Sequence, residues 1–392
     1  MPIQDSDYFL IDDNGVSKKI RADNLKAGIH STHSDKKLLV NLSNQYTSRF
    51  VYAGDVTSKV NSDHWMLINR GNTTSYKVSG DKVANYLKSY KRIHYTGTGL
   101  DNLTIPILDA FHNTTGTGES MLWFLPEVIG ISGMIDTIRG NSSMLNFMSD
   151  KEVIVPDLIT YGTNSFSLRA DDFTHSYTHA ATAINRSGKT YKVWQFKSQP
   201  GFFDIVQWDG NSSTRTLQHS LGEAPGMIMI QEYSGNQSNQ NWSIYHSSLG
   251  ANKLIYSNDF VGSNSSLNGY TPTATDFQVT SSTIVNSTGN KYIAYLFADN
   301  SSAGIKCGSY STPTSVVDVG FRPEAVIVKK VAGSGGNSFV AFDDTNDKVL
   351  IPNSGSPIQS NYDNSFLIHD SGFTVNSSYM NQPGSYVYMA VK

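Results

Sequence analysis

Phe203-Asp204-Ile205-Val206-Gln207-Trp208, then a polar stretch, then Leu221-Gly222-Glu223-Ala224-Pro225-Gly226-Met227-Ile228-Met229-Ile230, is the passage that decides the fold. It reads as a strand, a polar turn, a strand, a Pro corner and a buried strand. Met227 to Ile230 is apolar at every position, as in a strand covered on both faces. The same order returns as Ile305-Lys306-Cys307-Gly308-Ser309-Tyr310, then Val319-Gly320-Phe321-Arg322-Pro323-Glu324-Ala325-Val326-Ile327-Val328.

Working outward, a shared cadence marks the ends of the units. Phe166-Ser167-Leu168, Phe277-Gln278-Val279 and Phe373-Thr374-Val375 are each followed by a tyrosine that opens an apolar run: Tyr191 to Phe196, Tyr292 to Phe297 and Tyr386 to Val391. The connectors Asn185-Arg186-Ser187-Gly188, Asn286-Ser287-Thr288-Gly289 and Asn381-Gln382-Pro383-Gly384 are turn formers. In the middle of the units, Trp242-Ser243-Ile244-Tyr245-His246 is set beside Ser338-Phe339-Val340-Ala341-Phe342, with Gly133 to Gly140 as the counterpart in the first. Three diverged units of the β-sandwich kind are expected, at 96–200, 201–300 and 301–392.

Residues 1–95 carry a shorter repeat. Ser6-Asp7-Tyr8-Phe9-Leu10-Ile11, Gly15 and Lys19 to Leu25 are echoed by Ser62-Asp63-His64-Trp65-Met66-Leu67-Ile68, Gly71 and Lys77 to Val83. Each copy predicts a β-hairpin followed by a short helix, over 24–28 and 82–88, with Asp23 or Asp81 as its N-cap. Neither copy has the apolar residues for a large core. A docking region is expected, with Asp7, Phe9, Asp23, Asp63, Trp65 and Asp81 as its candidate contacts. The fold class is therefore mainly β: small N-terminal hairpin-plus-helix units, then three diverged β-sandwich-like repeats.

Composition agrees. Six Glu stand against 27 Asp, and Ser and Asn are abundant, a balance that favours turns over helix interiors. The 30 basic and 33 acidic residues give a net charge of −3 without long runs of one sign, so nucleic acid is not expected as a partner. A single cysteine, Cys307, excludes an intramolecular disulfide framework and a cysteine-based zinc site. The first residues have no signal-peptide pattern and no apolar run is long enough for a membrane helix, so neither secretion by an ordinary signal nor membrane insertion is expected.

The segments Phe203 to Val206, His219 to Ile228, Trp242 to Ala251 and Tyr292 to Phe297 resemble β-rich modules of phage virion proteins, common in tail-fibre and other structural proteins of marine cyanophages. The resemblance covers about residues 120–392. The stretch from Asp63 to Tyr86, with Asn69-Arg70-Gly71 and Ser75 to Val78, is similar to short elements in structural proteins of the same phages. It implies a virion component and transfers no catalytic or receptor-binding residue. The implied partners are other virion proteins, further copies of the chain with a homotrimer as the state expected of fibres, and a host surface glycan or protein.

Few constellations suggest chemistry. His175 and His179, preceded by Asp171 and Asp172, would share a helix face and could take zinc or nickel, but the surrounding Thr, Tyr and Asp favour a loop or strand. Asp12-Asp13-Asn14-Gly15 and Asp343-Asp344-Thr345-Asn346-Asp347 are oxygen-rich, yet lack calcium-loop spacing and read as Asx turns. Gly333-Ser334-Gly335-Gly336 reads as a hairpin turn rather than a phosphate cradle. No nucleophile elbow, phosphate loop or HExxH is present, so no cofactor or metal is expected and no enzyme, a glycan depolymerase being the one kind worth weighing. Tyr8, Trp65, Trp123, Trp194, Trp208 and Trp242 fall in strand patterns and read as core in preference to binding surface. A tail-fibre or spike appendage is the leading expectation, with a capsid decoration or neck connector as the alternative.

Overall fold

The computed structural model describes backbone alone for 8–13, 16–21, 37–42, 48–52, 64–70, 74–79, 152–154, 261–263 and 346–348. It describes backbone and side chains for 89–107, 119–127, 132–147, 158–162, 165–170, 184–235, 241–257, 267, 269–312, 316–333, 339–343, 349–352, 366–375 and 381–392. The protein is mainly β, in several antiparallel sheets. It divides into two compact units, one reaching Ser89 and the other starting at Tyr90.

The first unit holds one sheet built from β1 (Tyr8–Asp13), β2 (Val16–Arg21), β3 (Lys37–Leu42), β4 (Ser48–Tyr52), β5 (His64–Arg70) and β6 (Thr74–Ser79), in the order β2-β1-β3-β5-β6 with β4 on β3. Asp13 pairs with Val16, so only Asn14 and Gly15 separate β1 from β2, the Asn-Gly spacing of the tightest hairpins. Oxygen-rich Asp12 and Asp13 are thus strand residues paired with Ser17 and Val16. The hairpins β1–β2 and β5–β6 are joined through Tyr8 opposite Asn69 and Phe9 opposite Ile68. The expected helices at 24–28 and 82–88 lie outside the described residues.

The second unit contains three groups of strands. The first comprises β7 (Tyr90–Thr96), β8 (Leu103–Pro106), β9 (Ser120–Pro126), β10 (Gly133–Asp136), β11 (Ser143–Asn146), β12 (Glu152–Ile154), β13 (Ile159–Tyr161), β14 (Ser165–Leu168) and β15 (Thr190–Lys197). Its large sheet runs β12-β11-β10-β9-β15-β7 and its small sheet β13-β14-β8. β7, which a boundary at 95 leaves in the N-terminal region, pairs with β15 along its whole length. The second group comprises β16 (Phe203–Asp209), β17 (Arg215–Gln218), β18 (Pro225–Ser234), β19 (Ser243–His246), β20 (Lys253–Tyr256), β21 (Val261–Ser263), β22 (Asp276–Val279) and β23 (Lys291–Ala298), with sheets β16-β23-β18-β19-β20-β21 and β17-β22. The third comprises β24 (Ile305–Ser311), β25 (Val316–Asp318), β26 (Ala325–Ala332), β27 (Phe339–Asp343), β28 (Asn346–Leu350), β29 (Phe366–His369), β30 (Gly372–Val375) and β31 (Ser385–Val391), with sheets β24-β31-β26-β27-β28 and β25-β30-β29. In each group the last strand lies between the first and the third.

Packing explains why the central strands are apolar at consecutive positions. Leu122, Phe124, Tyr191 and Val193 of the first large sheet meet Ile105, Phe166 and Leu168 of its small sheet. The alternate residues Met121, Trp123, Leu125, Trp194 and Phe196 point the other way, into a second core shared with the other groups. The Phe-x-Val/Leu cadence is the inward face of a small-sheet strand, as Phe166 and Leu168, Phe277 and Val279, and Phe373 and Val375 are all buried. Each tyrosine that opens a last strand stacks on a ring from the first strand: Tyr191 on Tyr95 at 5.1 Å, Tyr292 on Trp208 at 5.5 Å and Tyr386 on Tyr310 at 4.8 Å. Its hydroxyl binds the preceding connector, accepting from the backbone N–H of Arg186 or Ser287, or donating to the Gln382 carbonyl. Gly333 takes φ 104° just after β26, which pairs antiparallel with β27, and 334–336 of the glycine-rich stretch lie outside the described residues.

Candidate functional site

Of the candidate docking contacts, Phe9 lies in β1 opposite Ile20 and Ile68, and Trp65 lies in β5 opposite Asn41 and Ser79. One sheet therefore carries both. Asp7, Asp23, Asp63 and Asp81 lie outside the described residues, as do His175, His179, Asp171 and Asp172. Among the described residues no three His, Cys, Asp or Glu side chains gather to hold a metal ion, and no helix is long and apolar enough to cross a membrane.

The most constrained place in the second unit is the core where the three large sheets meet. Phe147, fully buried just after β11, touches a ring from each group: Trp123 at 5.2 Å, Trp242 at 5.8 Å and Phe339 at 5.1 Å. Around it Phe196 packs on Phe203 and Phe297, and Trp242 stacks on Tyr295. Trp242 also donates its indole N–H to the Asn146 carbonyl at 2.9 Å. Trp123, Trp194, Trp208 and Trp242 are all buried, so these rings serve as core.

Polar groups close the sheets on one another from one register position. Asp136, His246 and Asp343 end β10, β19 and β27, opposite Met121, Met227 and Ala325, which in turn pair with Phe196, Phe297 and Val391 of the last strands. Asp136 accepts from the backbone N–H groups of Ile138 and Arg139 at 3.0 and 2.9 Å and from the Arg139 guanidinium at 2.6 Å. Across the junction it accepts from the Tyr295 hydroxyl of β23 at 2.7 Å. Burial, and then the Asp136 charge, hold the Tyr295 pKa well above the usual tyrosine value, so this hydroxyl keeps the proton it donates.

His246 accepts from the Ser248 N–H on Nδ1 at 3.2 Å, which leaves Nε2 to donate to the Tyr388 carbonyl of β31 at 3.1 Å. Full burial lowers its pKa to about 4, against the opposing pull of the Tyr388 carbonyl and Asp299, so the ring is neutral at ordinary pH. Asp343 accepts from the Lys192 Nζ of β15 at 2.8 Å, and that ammonium also lies 3.8 Å from Glu127, with all three side chains buried. Arg92 of β7 adds a bond to the Glu324 carbonyl at 2.9 Å. Where the second and third groups meet, Gly226 is required by closeness: a Cβ there would collide with the Cys307 side chain.

Asp343 thus ends β27 as a partner in a buried ion pair, while Asp344 and Thr345 lie outside the described residues. Asp136, His246, Lys192 and Phe147 carry no motif; Asp136 and His246 lie in the middle-strand match, Lys192 lies in the last-strand cadence, and Phe147 lies in neither. The middle-strand match needs a shift of one residue: the pairing sets Tyr245 beside Phe342 and His246 beside Asp343. Trp242 then matches Phe339, and both rings rest on Phe147. What these buried groups do chemically is hold three sheets together.

Fold and site together define an antiparallel β protein whose three strand groups share one core. Residues 84–392 match the model of a domain of unknown function, DUF7483, and the chain belongs to that family. No curated protein and no solved structure matches it.

Proposed function

We propose that the chain is a structural component of a phage virion, a tail-fibre or spike appendage that docks through residues 1–95 and presents three diverged copies of one β-sandwich-like module. The observation that carries this reading is the strand order common to the three groups, together with the shared core that closes them into one body. Such a body gives shape and cohesion, which is what an appendage needs, and it supports the reading taken from the resemblance. The sheet that carries Phe9 and Trp65 takes the docking role, with Asp7, Asp23, Asp63 and Asp81 as further contacts toward other virion proteins. The small sheets and their loops are the surface offered to a host glycan or protein. No catalysis is needed.

The test is cryo-electron microscopy of particles that carry the chain, with the protein located by its density and by a gold-labelled antibody. The expected result is a projection from the tail, held at its N-terminal end. A chain lying flat on the shell or buried at a neck joint would replace the appendage by the decoration or connector reading, and absence from purified particles would overturn the proposal.

A further inference from the structure

We propose that the three modules form an intramolecular trimer: a single chain supplies a closed three-membered ring of interfaces, and the partner that each large sheet recognises is the next module of the same chain. This rests on the three-module reading of the fold and not on the place of the protein in a virion.

The direction of the contacts carries it. Asp136 of the first module binds Tyr295 on the last strand of the second. His246 of the second binds the Tyr388 carbonyl on the last strand of the third. Asp343 of the third binds Lys192 on the last strand of the first. The end of a middle strand meets a last strand at each junction, and these are different surfaces, so every junction is heterologous, and a heterologous contact either closes into a ring or runs on as a filament. Here it closes after three, with Phe147 at the point where all three meet.

The chemistry at the common position has diverged: carboxylate to phenol, neutral imidazole to carbonyl, carboxylate to ammonium. The partners on the last strands lie at three different register positions, Lys192 opposite Leu125, Tyr295 opposite Met229 and Tyr388 opposite Val328, so each junction has its own geometry as well as its own chemistry. Further copies of the chain have no vacant module position to fill in this body.

The test uses the full chain with a site-specific protease sequence inserted between Ser301 and Ser302, both exposed, in the turn that joins the second module to the third. After cleavage of the folded protein, the two fragments are expected to stay together at one-to-one stoichiometry in native mass spectrometry and to part only in denaturant. Release of the 302–392 fragment under native conditions overturns the proposal. A second measurement on the unmodified chain covers the case of an insertion that prevents folding. Its buried tryptophan emission is expected to be unchanged from micromolar to nanomolar concentration, whereas a body assembled from several chains would lose that signal on dilution.

Discussion

The junction closed by His246 and the one closed by Lys192 and Asp343 occupy corresponding places and use opposite electrostatics. His246 is neutral and offers a single N–H to a carbonyl, while Lys192 sits between two buried carboxylates. The first junction tolerates burial because no charge is present, and it depends on a proton staying away. The second depends on both partners being present, since each alone is a buried charge. The junction of Asp136 with Tyr295 lies between them, its carboxylate being held mainly by Arg139 and the backbone N–H groups of the turn that follows β10.

The largest effect should come from the ring that serves all junctions equally. Phe147→Ala is expected to cost about 3–5 kcal/mol, read as a loss of denaturation midpoint. A cost under about 1 kcal/mol would mean that the three rings around it close without it. Lys192→Ala should cost a similar ~3–5 kcal/mol by stranding Asp343 and Glu127, and Asp343→Ala added to it should restore part of the loss. Simple additivity of the two changes in a urea titration would contradict the ion-pair account of that junction.

The histidine junction is separated from the others by pH. The folded pKa of His246 lies below the unfolded value, so protons favour the unfolded chain: its contribution is complete above about pH 6.5 and is lost as pH falls toward 4. A shift from 6.5 to about 4 corresponds to about 3 kcal/mol. Glu119 acts in the opposite sense, because burial and then Asp204 and Asp136 raise its pKa to about 7, so stability from its protonation is lost as pH rises through that value. The difference between wild type and His246→Gln, measured from pH 7 to 4, isolates the histidine. Parallel curves for the two proteins would show that the imidazole does not govern the acid response. The smallest effect belongs to Tyr295→Phe, expected at about 1 kcal/mol because Asp136 keeps its other donors. A cost as large as that of Lys192→Ala would show that this junction too depends on its cross-module bond.

The strands were legible because local rules write them. Met227 to Ile230 and Ala325 to Val328 announce strands covered on both faces, and the tyrosines at 191, 292 and 386 mark where last strands begin. Which second surface covers those strands was not legible, since an apolar run carries no address for its partner. The middle strands show the limit most clearly. Ser338 to Phe342 matches Trp242 to His246 as well by eye as Phe339 to Asp343 does, yet one residue of slip moves every side chain to the other face and hides His246 and Asp343 from each other. Asp343 was further masked by the acidic neighbours that follow it, which suggest a turn. Of the candidate docking contacts only Phe9 and Trp65 are placed, and only as strand positions, because pairing is backbone chemistry and says nothing of what either side chain meets.

In each of the three strand groups the last strand lies in the interior of its large sheet, with β15, β23 and β31 each inserted between the first and third strands. During synthesis, then, roughly a hundred residues of each group must leave the ribosome before its sheet can be completed. Until then the first and third strands present open edges to any other nascent chain. Low expression temperature and early chaperone capture should therefore govern the yield of soluble protein more than the stability of the finished body does.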